Sequence, residues 1–292
     1  HGSSAASDVY KRQGLSSAIK VKQLASAEGK EVSVCVLEKG SEIGAHILSG
    51  NVFEPTALNE LIPDWKEKEA PLNSPATKDI VKFMISENSS INIPFPSFLI
   101  PTFNNHGNYV MSLANFTRWL ATQAESLGVE IFPGFTAAEV IFEENVVKGV
   151  LTGEMGISKD GEKKPSYQPS MELRGKYTVF AEGCRGHLGK QLIKKFNLDE
   201  NRDPQHYGIG FKEIWDISPE DHKEGTVMHT MGWPSNGTIS GSYFYHGENN
   251  QVYLGYVVPL DYENPHLSPF DEFQQWKQHK DIKKILEKGK RV

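Results

Sequence analysis

The sequence predicts a mixed α/β fold in which a helix–strand domain is interleaved with a mainly β domain. Three observations predict it. A helical stretch runs into an apolar segment that ends in an acid, the pattern of the second half of a βαβ unit. A second helix, in mid-chain, is followed by several short strands. After about Gln205 the texture changes to strands separated by turn residues.

Taken in order, residues 1–13 show no apolar periodicity and read as a leader outside the fold. From Gly14, the residues Leu15, Ala18, Ile19, Val21, Leu24 and Ala25 recur at mainly helical intervals, and Gly29 supplies a stop. Residues 32–37 are almost continuously apolar and β-prone, which predicts a buried strand ending at Glu38. A Gly/Ser/His loop covers 39–54, and Pro55 opens a short helix. Residues 70–108 are rich in Pro, Asn and Ser, with short strands around 82–86 and 108–111. Ser112 caps an amphipathic helix carrying Leu113, Phe116, Leu120, Ala124 and Leu127, and Gly128 ends it. Strands are expected at 129–133, 137–144 and 146–152, then a polar connection at 159–170. Two further strands are expected within 172–183 and a helix from about Gly186. An antiparallel set follows from 205, closed by helices at 268–279 and 281–289.

Composition narrows the function. The 292 residues are 38% hydrophobic and 23% charged, a soluble globular balance, and the net charge of −6 disfavours a nucleic-acid partner. No run approaches the ~18 apolar residues of a membrane span. The two cysteines, Cys35 and Cys184, cannot by themselves hold an iron–sulfur cluster or a four-cysteine zinc site. Both are expected as free thiols in a reducing compartment, the alternative being a single disulfide. Histidines such as His229 and His246 lie far apart on predicted strands, with no metal-ligand spacing. No nucleophile elbow or Walker loop is present.

Four segments carry candidate chemistry. A dinucleotide fingerprint needs glycines that let the backbone approach a pyrophosphate, and an acid at the next strand end for the ribose. Gly14 suits the third glycine and Glu38 the acid, but Val9 and Lys11 stand where the first two glycines belong. An ordinary helix–strand pair ending in an exposed acid reads from the same residues. The glycine-rich loop 40–50 suits close approach to a ligand or a plain surface loop. The Glu182–Gly183 turn before the next helix presents backbone N–H groups or serves as a simple connection. The proline-broken apolar stretch 93–103 packs in a core or dips into one membrane leaflet.

Long strings in residues 37–50, 103–140, 180–196, 207–217, 229–234 and 260–291 resemble electron-transfer flavoprotein–ubiquinone oxidoreductases, and the likeness runs from Gly14 to Arg291. The resemblance implies a Rossmann-like FAD-binding domain, 14–54 and 112–200, interleaved with a mainly β quinone-binding domain, 55–111 and 201–292. It implies an enzyme that passes electrons from reduced electron-transfer flavoprotein to ubiquinone. FAD is the cofactor, and a 4Fe–4S cluster belongs to the family with its ligands outside this chain. The site implied is peripheral on one leaflet of the mitochondrial inner membrane or the bacterial cytoplasmic membrane, reached through 93–103.

By the same resemblance, Gly14 and Glu38 serve the phosphate and ribose, Gly44, His46, Ser49 and Gly50 lie near the flavin, Ala137 and Ala138 near the adenine, and Ala181, Glu182 and Gly183 in the second cofactor turn. Ser240 and Gly241 match the glycine pair that approaches the quinone, with serine in the first position. No proton donor for the quinone is assigned from sequence. Two departures carry an expectation. Residues 1–13 replace the family's glycine loop and read as non-native, and the chain stops short of the cluster segment, so these 292 residues are expected to be inactive alone. A geranylgeranyl-reductase-type flavoprotein, or a non-catalytic fragment that binds no FAD, are the alternatives.

Overall fold

A computed structural model describes residues 11–47, 50–94, 104–183, 185–235, 237–238 and 240–292. The order begins α1 (Lys11–Ala27), β1 (Cys35–Glu38), β2 (Asn51–Phe53), α2 (Thr56–Leu61), β3 (Ser74–Pro75), β4 (Lys78–Ser86), β5 (Ser89–Asn92) and β6 (Tyr109–Met111). It continues with α3 (Leu113–Ser126), β7 (Glu130–Pro133), β8 (Ala137–Glu143), β9 (Val146–Thr152), β10 (Met155–Ile157), β11 (Lys163–Gln168), β12 (Glu172–Arg174) and α4 (His187–Phe196). The last elements are β13 (Gly208–Asp216), β14 (Thr226–Gly232), β15 (Gly241–His246), β16 (Gln251–Pro259), α5 (Pro269–Gln278), α6 (Lys280–Leu286) and β17 (Lys290–Arg291). Two compact units result: His1–Ile47 with Thr117–Arg202, and Leu48–Phe116 with Asp203–Val292. One division falls inside α3, five residues beyond the 111/112 boundary read from sequence.

In the first unit α1 starts at Lys11, so Lys11, Arg12 and Gln13 are helical although the sequence reading placed them in a leader. The helix buries Leu15, Ala18, Ile19 and Ala25 but leaves Val21 and Leu24 exposed. At about 100° per residue, Leu24 points opposite Leu15, so it sits off the apolar stripe. β1 pairs in parallel with β7, from Cys35↔Glu130 to Glu38↔Pro133. The strand is shorter than the apolar run that announced it. Val32 and Cys35 are exposed, because among the described residues β1 has one strand neighbour and residues 31–34 lie outside the ladder.

β8, β9 and β12 form an antiparallel sheet whose Val140 and Val150 pack with Leu188 of α4, flanked by Leu37 and Phe180. Two local readings are corrected here. Part of the polar connection 159–170 is strand: β11 pairs back onto β10, because cross-strand hydrogen bonds hold even a polar hairpin. Only one strand, β12, forms within 172–183. Residues 177–180 take no regular structure, and Tyr177 is 94% exposed.

The second unit is built on a seven-stranded sheet in the order β17-β13-β16-β15-β14-β4-β5. β13 to β16 pair antiparallel as expected, but β14 runs parallel to β4, from Thr226↔Lys78 to Gly232↔Met84. Parallel neighbours need a crossover, and the sequence between them supplies a long one. One face carries Phe244, Leu254, Tyr256 and Val258 against Phe273, Trp276, Ile282 and Leu286 of α5 and α6. Ser268 starts α5 by accepting the Asp271 N–H at 3.4 Å, with Pro269 in the first turn and acids Asp271 and Glu272 at the positive end of the helix dipole. A small sheet, β2-β6-β3, adds Val110 and Ala76 to a second cluster with Val227 and Tyr253. Of the apolar stretch 93–103, only residues 93 and 94 lie within the described part. Among the described residues no helix is long and apolar enough to cross a membrane.

Candidate functional site

In the first unit the structure brings together residues that the sequence holds far apart. A Cβ placed on Gly14 would stand 3.3 Å from the Cβ of Ala181, so the second turn of α1 packs directly on the start of the 181–183 turn. A larger side chain at either position would push the helix away. Glu38 ends β1 and is only 6% exposed, not the exposed acid of the plain helix–strand reading. Its Oε1 accepts the Gly40 N–H at 2.6 Å, and the open side of Gly40 also meets His46 Nδ1. Glu38, Gly40 and His46 therefore converge after β1, with Gly44 in the left-handed region at φ +84° to turn the loop. Ser49 lies outside the described residues.

Ala137 and Ala138 open β8 and are half-buried, and His187 Nε2 lies 2.7 Å from the Ala138 carbonyl. Glu182 turns its carboxylate onto the start of α4, accepting the Leu188 N–H at 3.2 Å and the Gly189 N–H at 2.9 Å. Two of the helix's orphan donors are thereby satisfied, and its positive end is covered by a charge of the opposite sign. Gly183, at φ +91°, makes the bend.

These residues fit one half of a dinucleotide better than the other. A carboxylate accepts several hydrogen bonds at once, so Glu38 can hold Gly40 and still receive ribose hydroxyls. The phosphate end does not fit. The fingerprint loop would span 9–14 and open the helix, and α1 does begin at Lys11, but Val9 and Lys11 stand where backbone alone should approach the anion.

In the second unit Gly50 sits at φ +103° with its open side against Tyr253, so close that a Cβ would overlap the ring's own Cβ. Gly241 begins β15 and is exposed, and a Cβ there would meet nothing within 4 Å. Ser240 beside it is buried and turns its hydroxyl inward. Ser240 Oγ lies 3.0 Å from the Tyr256 hydroxyl, Tyr256 lies 2.7 Å from Ser235 Oγ, and Ser235 donates to Glu272 Oε2 at 2.7 Å. Serine in place of the expected glycine thus leaves the open side of Gly241 clear. Burial raises the Tyr256 phenol above its usual pKa, against the hydrogen bonds from Ser235 and Ser240. Tyr256, Ser235 and Glu272 carried no signal in the sequence, because they stand on separate segments with no fixed spacing.

The α/β architecture is shared with solved structures of low sequence identity. A geranylgeranyl bacteriochlorophyll reductase-like protein from Thermoplasma acidophilum superposes with a TM-score of 0.65 at 15% identity, covering 96% of this chain and 61% of that one. A myxobacterial chondrochloren halogenase, a FAD-dependent halogenase, gives 0.57 at 15% identity over 96% of this chain and 58% of its own. Sequence similarity is more specific. Residues 207–292 match the family model described as ETF-QO, ubiquinone-binding. The electron transfer flavoprotein-ubiquinone oxidoreductase of Pseudomonas aeruginosa is 60% identical over 283 residues, 96% of this chain and 51% of that protein. The mitochondrial protein of that name from Homo sapiens is 50% identical over 283 residues, 96% of this chain and 45% of its own length. The chain is thus similar, over nearly all of itself, to electron transfer flavoprotein-ubiquinone oxidoreductases, and it spans about half the length of these curated relatives.

Proposed function

We propose that this chain forms part of an electron transfer flavoprotein–ubiquinone oxidoreductase. The observation that carries the reading is the 60% identity sustained over 283 residues. In this reading the first unit contributes to FAD binding and the second receives ubiquinone at the Ser240–Gly241 turn. When bound, FAD supplies the one-electron chemistry that links the flavoprotein donor to the quinone. Glu38 holds the adenosine ribose. Ala181 and Gly14 keep helix and turn in contact, and Ala137 and Ala138 border the adenine. Gly44, His46, Glu182 and Gly183 complete the cofactor's surroundings within that unit. Gly241 lets a flat quinone ring lie against bare backbone, and the absence of a clash around it supports that role.

A 4Fe–4S cluster, electron-transfer flavoprotein as donor, and attachment to one membrane leaflet through 93–103 belong to the same proposal. The test is a titration of the purified chain with a short-chain ubiquinone, followed by tryptophan fluorescence. Saturable binding that is lost in Gly241→Val supports the site. Equal binding by both proteins places the quinone elsewhere. The second reading, a geranylgeranyl-reductase-type flavoprotein, is favoured by the likeness to the Thermoplasma fold. Preferential binding of a geranylgeranyl lipid lacking a quinone ring would favour it instead.

A further inference from the structure

We propose that an exposed apolar row across the seven-stranded sheet carries the prenyl tail of a quinone whose ring lies at Gly241. The inference rests on the reading of the Ser240–Gly241 turn as the quinone site. Residues paired across neighbouring strands share a face of the sheet. The pairs Ile91↔Phe83, Phe83↔Met231, Met231↔Gly241, Gly241↔Val257 and Gly210↔Val257 therefore set six residues in one line from β5 to β13. The line lies on the face turned away from α5 and α6, because its neighbours along the strands, Met84 and Tyr256, belong to the helix-covered core.

Two further rows on this face are covered. Val227, Tyr245, Tyr253 and Ile214 pack with Val52 and Val110 of the small sheet. In the next row the Tyr243 ring covers Gly255 and stacks on Tyr245 at 4.6 Å, and the Tyr245 hydroxyl lies 2.9 Å from His229 Nε2. The third row is open. Met231, Val257, Phe83 and Ile91 are 36, 42, 44 and 56% exposed, with Gly241 and Gly210 exposed beside them. A sheet face that meets water ordinarily carries polar side chains, and this row carries none.

The shape of the row selects its occupant. It is a strip one residue wide, widened at β4 by the exposed Ile85, where a protein partner needs about 800 Å² on each side. A single hydrocarbon chain needs only the strip. The two ends differ. Towards β13, Gly241 and Gly210 flank Val257 and leave bare backbone on which a flat ring can lie. Towards β5, Met231, Phe83 and Ile91 stand side by side, and the Phe83 ring lies 3.2 Å from the place a Cβ on Gly232 would take. Gly241 to Ile91 is three strand spacings, about 14 Å, the reach of roughly three isoprene units. Four of the six residues fall within 207–292, the stretch that matches the ubiquinone-binding family model.

The experiment titrates the chain with ubiquinone analogues carrying no tail and one to four isoprene units, read by tryptophan fluorescence. Affinity is expected to rise by roughly 10-fold with each unit to the third and then to level off. Phe83→Ser and Ile91→Ser are expected to remove the gain from the second and third units. Both side chains are exposed, so the variants keep the fold. Equal affinity at every tail length overturns the track and leaves the ring site standing, as does a loss of the same size at every length. A gain untouched by both variants sends the tail elsewhere and also overturns it; loss of binding to phosphatidylcholine vesicles in those variants would then mark the row as a membrane contact. A chain that binds no analogue overturns both readings.

Discussion

Lys277 of α5 places its ammonium 2.9 and 2.8 Å from the two carboxylate oxygens of Glu213 on β13, with both side chains nearly buried. Burial alone would raise the Glu213 carboxyl. Hydrogen bonds from Lys277, Trp215 and Arg291, and the Lys277 charge, outweigh it and hold the group below its usual value. Lys277→Met strands a buried carboxylate with only the neutral Trp215 N–H and the more exposed Arg291 beside it. It is expected to cost about 3 kcal/mol in urea unfolding. The folded pKa is depressed, so this stabilisation is present above the unfolded carboxylate value of roughly 4.3 and is lost as pH falls through the folded one. A variant as stable as the parent at neutral pH would show that the pair contributes nothing.

Gly50 offers a steric test. Its φ of +103° is unfavourable for any L side chain, and Tyr253 fills the space a Cβ needs. Strain and overlap add, so Gly50→Ala is expected to lower stability by about 3 kcal/mol. Thermal unfolding checks it. Tyr253→Ala in the same background keeps both the overlapping Cβ and the backbone strain, and is expected not to rescue the loss.

His246 titrates in an acid window of its own. Its ring is buried on β15, lies 5.2 Å from the His222 ring, and accepts the Lys223 N–H at 3.1 Å. Burial first, then the charges of His222 and Lys223, depress its pKa to about 4. Between roughly pH 6.5 and that value the unfolded chain binds a proton that the folded one refuses, so stability falls as pH is lowered. His246→Gln is expected to flatten the stability curve across this window. An NMR titration of the ring that shows an ordinary histidine midpoint would contradict the assignment.

Glu38 predicts how the first unit meets a nucleotide. If its carboxylate receives ribose hydroxyls, Glu38→Ala weakens ADP-ribose binding by roughly 10- to 100-fold, the worth of a hydrogen bond to a charged group. FAD itself is expected to bind the purified chain weakly, because Val9 and Lys11 replace the glycines that let backbone approach a pyrophosphate. Fluorescence titration with both ligands reads the two effects separately.

Some of the site was legible before the structure. Glu38 stood out as an acid at the end of an apolar run, and the structure adds that it is buried and tied to its own loop. Lys11 stood out as a mismatch to a glycine motif. The hydroxyl line was not legible, since serines and a tyrosine at 235, 240 and 256 form no pattern until β15 and β16 lie side by side.

The sequence by itself determined what depends on neighbours along the chain. Ser112 caps α3 through the Asn115 N–H, Pro269 starts α5, and the strands after 205 follow their turns. These are short-range effects of backbone geometry and of apolar residues recurring at the period of the element. Only the tertiary structure decided that β14 runs parallel to β4, that Gly14 packs on Ala181, and that Glu272 reaches Ser240 through two other side chains. Those relationships close long loops, and their stability comes from packing between segments whose spacing along the chain is arbitrary.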